Sequence, residues 1–326
     1  MRKKIIFGAP VYFDLHKMMI KNLENAGFDV FSIAMDEDFK YENLILRAKN
    51  LLKKKILRDK NYKRRVLYYN YKQKQLEPIL SKFNKDTFDY ALIIRPDIYP
   101  FEILKHLNNI SITTIAYQWD GVDRFTGVID RIPLFDKFFV FDKRDFIKYK
   151  HRFDNLYITN NFYCNYEPEA TEKKSDVYYL GAIQNNRINE LRHIISFIDV
   201  NKYILNISIL SKRNESDSVI KFITAPLSYD QNLENVKNTK VLIDLKVSEH
   251  DGLSFRFFEC LKYEIKIITT NKTVRNYDFY NPNNIFIIDI DDNKDLSNFI
   301  ESDYETVNNK TYNSYSFKNW ISKLID

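Results

Sequence analysis

The chain has 326 residues, about two domains' worth, and its 44% hydrophobic, 15% aromatic and 29% charged residues exclude both an intrinsically disordered chain and a membrane-embedded one. The net charge of +6 is unevenly placed: residues 47–75 hold Arg47, Lys49, Lys53, Lys54, Lys55, Arg58, Lys60, Lys63, Arg64, Arg65, Lys72 and Lys74 against one acid, Asp59. Cys164 and Cys260 lie far apart and the five histidines are scattered, so reduced thiols and no metal site are expected.

The first apolar run, residues 4–8, is too short for a signal peptide and is cut by Pro10 and Asp14, so it reads as a strand. Leu15, Met18, Met19 and Leu23 then share one helix face up to Gly27, and residues 28–34 read as a second strand. This β-α-β opening implies a parallel sheet. Residues 37–84 show no strand pattern and read as helices that carry the basic block, inserted between strands. Residues 90–94, 112–117 and 137–141 are strand patterns, with helices at 101–107 and 143–149. A first lobe over 1–165 follows from this. The polar stretch 167–175, which contains Pro168, reads as a linker.

A second alternation then begins. Strands are expected at 177–180, 203–210, 220–224, 240–245, 265–270 and 285–288, with a helix at 188–198. Residues 316–325 form an amphipathic helix with Trp320, Ile321 and Leu324 on its apolar side. The second lobe is expected over 166–310, with 311–326 packing back toward the first. The fold class is therefore α/β, two Rossmann-like lobes facing across a cleft. No stretch is long and apolar enough to cross a bilayer, and the expected location is cytoplasmic, or peripheral at the inner face of the cytoplasmic membrane.

Ligands of parallel sheets bind beyond the carboxyl ends of the strands. The most informative such position is Asp251-Gly252-Leu253-Ser254-Phe255-Arg256-Phe257-Phe258-Glu259, which follows a buried strand and turns into a helix. Ser254 is placed to cap that helix, and its N-terminus suits phosphate. Arg256 can add a bidentate phosphate contact, and Glu259 can accept hydrogen bonds from ribose or sugar hydroxyls. The plainer alternative is a capped helix with a surface ion pair. In residues 180–187, Gly181 permits close approach of a nucleotide and Arg187 can hold phosphate, or the segment is an ordinary βα turn. Lys212 and Arg213 end another strand and can assist a leaving diphosphate, or form a solvated pair. In the first lobe, Asp14, His16, Asp97 and Asp120 each follow a strand and can act as a base or acceptor clamp, or serve only as turn residues.

The ordered set of these strings resembles a known family. Asp251 and Glu259, with seven residues between them, are similar to the acidic pair of retaining GT-B glycosyltransferases. Gly252 to Leu261, then Lys-Ile-Ile-Thr-Thr-Asn at 266–271 and Tyr-Asp-Phe-Tyr-Asn-Pro-Asn-Asn at 277–284, resemble the donor region of bacterial enzymes of lipopolysaccharide and capsule biosynthesis, the glycosyl transferases group 1 type. Tyr117-Gln-Trp-Asp-Gly-Val-Asp-Arg124 and residues 135–142 resemble the first lobe of that group. The resemblance implies a metal-independent, retaining transfer of sugar from a nucleotide-sugar donor to a surface glycan or lipid-linked acceptor, with no further cofactor. It implies that Glu259 meets the ribose, that Asp251 with the amides of Gly252 and Leu253 faces the donor sugar, and that Arg256 meets the diphosphate. Asp120 is the preferred catalytic residue on the acceptor side, where Trp119 can stack on a sugar.

Two departures stand out. The first acid is Asp, shorter than the usual Glu. The Gly-containing turn after the second acid is replaced by Lys262-Tyr263-Glu264-Ile265, so a different local backbone is expected there. Asp289 and Asp291 mimic an Asp-x-Asp metal motif, but a helix cap is the better reading. The basic block fits an anionic inner-membrane surface or a phosphorylated acceptor, with a solvated helix face as the alternative; no nucleic-acid partner is expected. The rival functions are a nucleotide-sugar epimerase on the same fold and a non-catalytic basic protein that binds membrane or nucleic acid.

Overall fold

A computed structural model describes residues 2–167, 174–184, 186–212 and 216–326. Residues 168–173 of the expected linker, and Arg213, lie outside these. Two six-stranded, wholly parallel sheets carry the fold.

The first sheet contains β1 (Lys3–Gly8), β2 (Phe28–Ser32), β3 (Phe88–Ile94), β4 (Ser111–Gln118), β5 (Lys137–Val140) and β6 (Leu156–Ile158), in the order β2-β1-β3-β4-β5-β6. The second contains β7 (Ser175–Ala182), β8 (Leu205–Leu210), β9 (Ile220–Ile223), β10 (Thr239–Asp244), β11 (Lys266–Thr269) and β12 (Ile285–Ile287), in the order β12-β11-β10-β7-β8-β9. Central strands read as unbroken apolar runs because both faces are covered: Ile5, Ile6 and Phe7 are fully buried, as are Leu92, Ile93 and Ile94. The edge strand β6 was not expected from the sequence. It is three residues long and leaves Tyr157 and Ile158 exposed, so it has no run to read.

The helices of the first lobe are α1 (Leu15–Asn25), α2 (Leu44–Lys55), α3 (Tyr69–Leu80), α4 (Phe101–Ile110) and α5 (Lys143–Tyr149), of which α2 buries only Asn50. Those of the second are α6 (Arg187–Ile195), α7 (Tyr229–Lys237), α8 (Phe255–Tyr263) and α9 (Leu296–Glu301), followed by α10 (Asn309–Ser314) and α11 (Phe317–Ile325). A π-type turn, Lys63–Tyr68, leads into α3. Together with α2 these elements make the helical insertion between β2 and β3. No helix of the described residues is long and apolar enough to cross a membrane.

Each sheet has one place where the strand order reverses, between β1 and β3 in the first and between β7 and β10 in the second. Loops part there and leave a crevice at the carboxyl ends of the strands. The chain crosses between the lobes in two adjacent segments. The amide of Tyr163 donates to Tyr315 O at 3.0 Å, and the amide of Phe317 donates to Tyr163 O at 2.9 Å. After the second crossing α11 returns to the first lobe, where Trp320 packs edge-on against Tyr117 at 5.2 Å and lies tilted against Phe162 at 4.1 Å.

Candidate functional site

The two reversal points face one another across a cavity of about 360 Å³. From the first lobe it is lined by Tyr12 and Phe13 of the loop after β1, and by Trp119, Asp120 and Arg124 after β4. From the second it is lined by Gln184 and Arg187 after β7, by Asp244, Leu245 and Lys246 at the end of β10, and by His250, Gly252, Ser254 and Arg256 at the start of α8. A smaller cavity of about 210 Å³ adjoins it over Gly181, Arg187, Tyr229 and Arg256.

Arg256 joins the two central strands of the second lobe. Its Nη2 donates to Leu180 O on β7 at 2.5 Å, and its Nη1 lies 3.5 Å from Asp244 Oδ1 on β10. The guanidinium also lies over the Tyr179 ring at 5.6 Å. Asp244 is buried and accepts from Ser254 Oγ at 2.7 Å and from Thr269 Oγ1 at 3.2 Å. The expected side-chain cap of α8 is therefore not made. Ser254 has the extended backbone of a cap residue, but its hydroxyl turns to the nearby carboxylate, leaving the first amides of α8 without a side-chain acceptor from it. At the other end of α8 the turn does not avoid the left-handed conformation for want of glycine. Glu264 adopts it with φ +53°, and Ile265 N donates to Cys260 O at 2.9 Å.

Glu259 lies behind the cavity wall instead of lining it. It is buried, and its Oε1 accepts from the Tyr229 hydroxyl at 2.8 Å, while Oε2 has no hydrogen-bond partner among the described residues. Burial pushes its carboxyl above the usual range, against the opposing hydrogen bond from Tyr229 and the charge of Arg256. Tyr229 lines both cavities, so it separates Glu259 from them.

Asp251 points away from this cavity. Its carboxylate pairs with Lys246 Nζ at 2.6 Å and with Arg144 Nε at 3.1 Å, and lines a separate cavity with Asp142, Tyr277 and Asp278. The Lys246 hydrogen bond holds its carboxyl below the usual range. The two acids of the expected pair are thus separated: Asp251 lines the second cavity, Gly252 borders both cavities, and Glu259 lines neither. Leu253 is buried and does not line the cavity, and its carbonyl accepts from Asn161 Nδ2 at 2.9 Å. Gly181 lines the smaller cavity, and Arg187 lines both while donating to Ala182 O at 3.1 Å.

On the first-lobe side, Trp119 meets Phe255 edge-on at 6.0 Å, and Asp120 accepts from Arg124 Nη1 at 2.9 Å. Asp97 does not reach the cavity. It is buried in a bidentate fork with Arg95, at 2.6 and 2.9 Å, and also pairs with Arg64 at 3.1 Å. Arg95 itself is buried with φ +57°, stacks on Phe125 at 3.5 Å and lies 3.9 Å from Asp120. Asp14 and His16 follow β1 as expected, but their neighbours line the cavity in their place. Asp14 pairs with Lys17 at 3.0 Å. His16 is buried with Nδ1 unpartnered, and burial lowers its pKa. Asp292 accepts from Lys294 N as a local cap, whereas Asp291 accepts from the upstream Ile287 N and pairs with Arg275 at 2.8 Å, and Asp289 pairs with His193 at 2.9 Å. Among the described residues no group of three or more His, Cys, Asp or Glu is arranged to hold a metal ion.

Asp244, Lys246, His250 and Tyr229 were not singled out from the sequence. Asp244 had one signal, an acid ending an otherwise apolar strand. Tyr229 had none, since its partner is distant in sequence.

No protein-family model matches the chain, and no curated protein sequence matches it. Solved structures do. One is an "alpha-glucosyltransferase in complex with UDP-glucose and DNA containing an abasic site", at 12% identity and TM-score 0.56, covering 99% of this chain and 95% of that one. Another is an "alpha-glucosyltransferase (AGT) in complex with UDP", at 12% identity and TM-score 0.56, covering 100% and 95%. A third is the N-terminal domain of Candida albicans trehalose-6-phosphate phosphatase, at 12% identity and TM-score 0.56, covering 100% and 96%. The chain has the GT-B fold. At this identity the likeness concerns architecture: two Rossmann-like lobes over almost the full length of each chain.

Proposed function

We propose that the chain is a glycosyltransferase that moves a sugar from a nucleotide-sugar donor to a glycan or lipid-linked acceptor of the kind used in surface-polysaccharide assembly. The observation that carries this reading is the convergence of Arg187, Lys246 and Arg256 on one cavity at the reversal point of the second sheet, opposite Trp119, Asp120 and Arg124 of the first lobe. Cations at the carboxyl ends of parallel strands suit a diphosphate, and an aromatic with a carboxylate suits a sugar. Full-length structural neighbours crystallised with UDP or UDP-glucose support the same donor class.

In this reading the second lobe grips the nucleotide. Arg187 and Arg256 neutralise the leaving diphosphate, with Lys246 held at the rim by Asp251. Glu259, kept in place by Tyr229, supports the wall nearest the ribose. Asp120 and Trp119 position the acceptor. Asp251 acts through Lys246 and does not itself touch the sugar. No resident metal or cofactor is assigned.

The test is a thermal-shift screen of the purified chain against UDP and a panel of sugar nucleotides, followed by a transfer assay with and without EDTA. The expected result is a raised Tm with at least one sugar nucleotide, lost in Arg256→Ala, and EDTA-insensitive transfer. A chain that no sugar nucleotide stabilises would overturn the reading. Interconversion of donor sugars without an acceptor would favour an epimerase.

A further inference from the structure

The structure splits the basic block into two populations. Arg64, Arg65, Lys72 and Lys74 pair with Glu37, Asp59, Asp36 and Glu42 at 3.0, 2.7, 2.7 and 2.9 Å. These ion pairs fasten the insertion internally and to the loop after β2. Residues 44–58 contain no acid, and Arg47, Lys49, Lys54 and Lys55 make no ion pair among the described residues.

Helix α2 is also turned inside out. The one α2 residue buried against the protein is Asn50, whose amide donates to the Tyr41 hydroxyl at 2.8 Å. Leu44, Ala48, Leu51 and Leu52, spaced i, i+4, i+7 and i+8, fall on one stripe, and that stripe faces outward. Leu44 and Ile45 are 79% and 76% exposed, and Leu51, Leu52, Ile56 and Leu57 are at least half exposed. An outward stripe of this size on a short helix is a contact surface in waiting.

We propose that α2 is an interfacial helix that lies on an anionic lipid surface, its leucine stripe at the acyl boundary and its free cations among the phosphates. Two features have to be satisfied together, the exposed aliphatic stripe and the unpaired positive charge beside it. Nucleic acid would neutralise the cations but leave the leucines in water. A second copy would cover the leucines but bring like charges together. An anionic bilayer satisfies both. The insertion springs from the carboxyl end of β2, the end at which Tyr12 and Asp120 line the cavity, and ion pairs from Arg64 through Asp97 and Arg95 to Asp120 connect the two. Docking itself needs only α2. That it would set the cleft near a lipid-linked acceptor rests on the transferase reading.

The experiment is sedimentation of the full chain with vesicles of phosphatidylcholine alone, and of phosphatidylcholine containing about one-third phosphatidylglycerol. Binding is expected to the mixed vesicles only, and to weaken with salt. Leu51→Asp with Leu52→Asp should abolish it. Lys54→Glu with Lys55→Glu should lower the partition coefficient by roughly tenfold or more. Both variants alter exposed side chains, so their Tm and their Tm shift with a sugar nucleotide should match the parent, which separates failure of docking from failure of the transferase reading. Equal binding to both vesicle types would overturn the proposal. So would variants that bind like the parent, duplex DNA binding without vesicle binding, or a dimer abolished by the Leu51 and Leu52 changes in a chain that ignores vesicles.

Discussion

The hydroxyl of Tyr229 donates to Glu259 Oε1 at 2.8 Å with both side chains buried, while Glu259 Oε2 has no hydrogen-bond partner among the described residues. The same tyrosine donates its amide to Phe13 O at 2.6 Å, so the residue that holds the acid also ties α7 to the first lobe. Tyr229→Phe removes this donor from the carboxylate, at an expected cost of about 1–3 kcal/mol in denaturant unfolding. Combined with Glu259→Gln, the losses should be non-additive, because both substitutions disturb one hydrogen bond.

Arg256 and Arg187 line the same cavity but stand differently toward the fold. Arg256 bridges Leu180 and Asp244, whereas the Arg187 guanidinium donates to Ala182 O, at the end of the strand that precedes its own helix. If both meet the diphosphate, alanine at either position weakens sugar-nucleotide binding by about tenfold to a hundredfold. Arg256→Ala should also lower stability, since it removes a cation from buried Asp244, while Arg187→Ala leaves stability near the parent. Calorimetric binding and thermal unfolding of the two variants, read side by side, check this.

Gly252 packs against Phe141 of the first lobe beside the cavity. A Cβ there would stand 2.5 Å from the ring of Phe141 and 3.1 Å from its carbonyl oxygen. Gly252→Ala is expected to cost about 1–3 kcal/mol through overpacking. Trimming the ring with Phe141→Leu should recover part of the loss, and two substitutions that merely act independently would show no such recovery.

Asp145 gives the fold a pH dependence. It is buried, its Oδ2 accepts from Val122 N at 2.8 Å, and burial pushes its carboxyl up to about 6. A carboxyl whose folded pKa lies above its unfolded one binds its proton more tightly in the folded state. Its contribution is therefore fully present below the unfolded pKa and is lost as pH rises through about 6. Asp145→Asn keeps an oxygen for the Val122 amide and should remove up to about 2–3 kcal/mol of that decline, measured as the difference in unfolding free energy between acid and neutral pH.

Most strands of both sheets can be read from the sequence, because strands buried on both faces leave uninterrupted runs such as Ile5-Ile6-Phe7 and Ile267-Ile268. Edge strand β6 leaves no such run. The segment 251–259 borders the cavity, where Ser254 and Arg256 line it, but sequence spacing says nothing about which way a turn directs its side chains. Asp251 faces the opposite side for that reason. Asp97 stood out as an acid after a strand, and its bidentate partner Arg95 was two residues away. Burial of that pair, which makes it a structural fork, depends on Phe125 and Arg64. Tyr229 is defined by a partner 30 residues distant, Glu259, and no local pattern carries it; Asp244 shows in the sequence only as an acid ending an apolar strand, and its partners Ser254 and Thr269 lie 10 and 25 residues away.

The return of α11 to the first lobe changes the order in which the molecule can be completed. Trp320 and Phe317 pack with Phe162 and Tyr117 under the first sheet, and Leu324 is fully buried there. The lobe built from the earliest part of the chain therefore lacks a wall until residues 317–325 have been made, whereas the second lobe's sheet closes with β12. On the ribosome the second lobe can reach its native packing first and the first lobe last, the reverse of the usual N-to-C order. Losing the final helix would injure the lobe farthest from it in sequence.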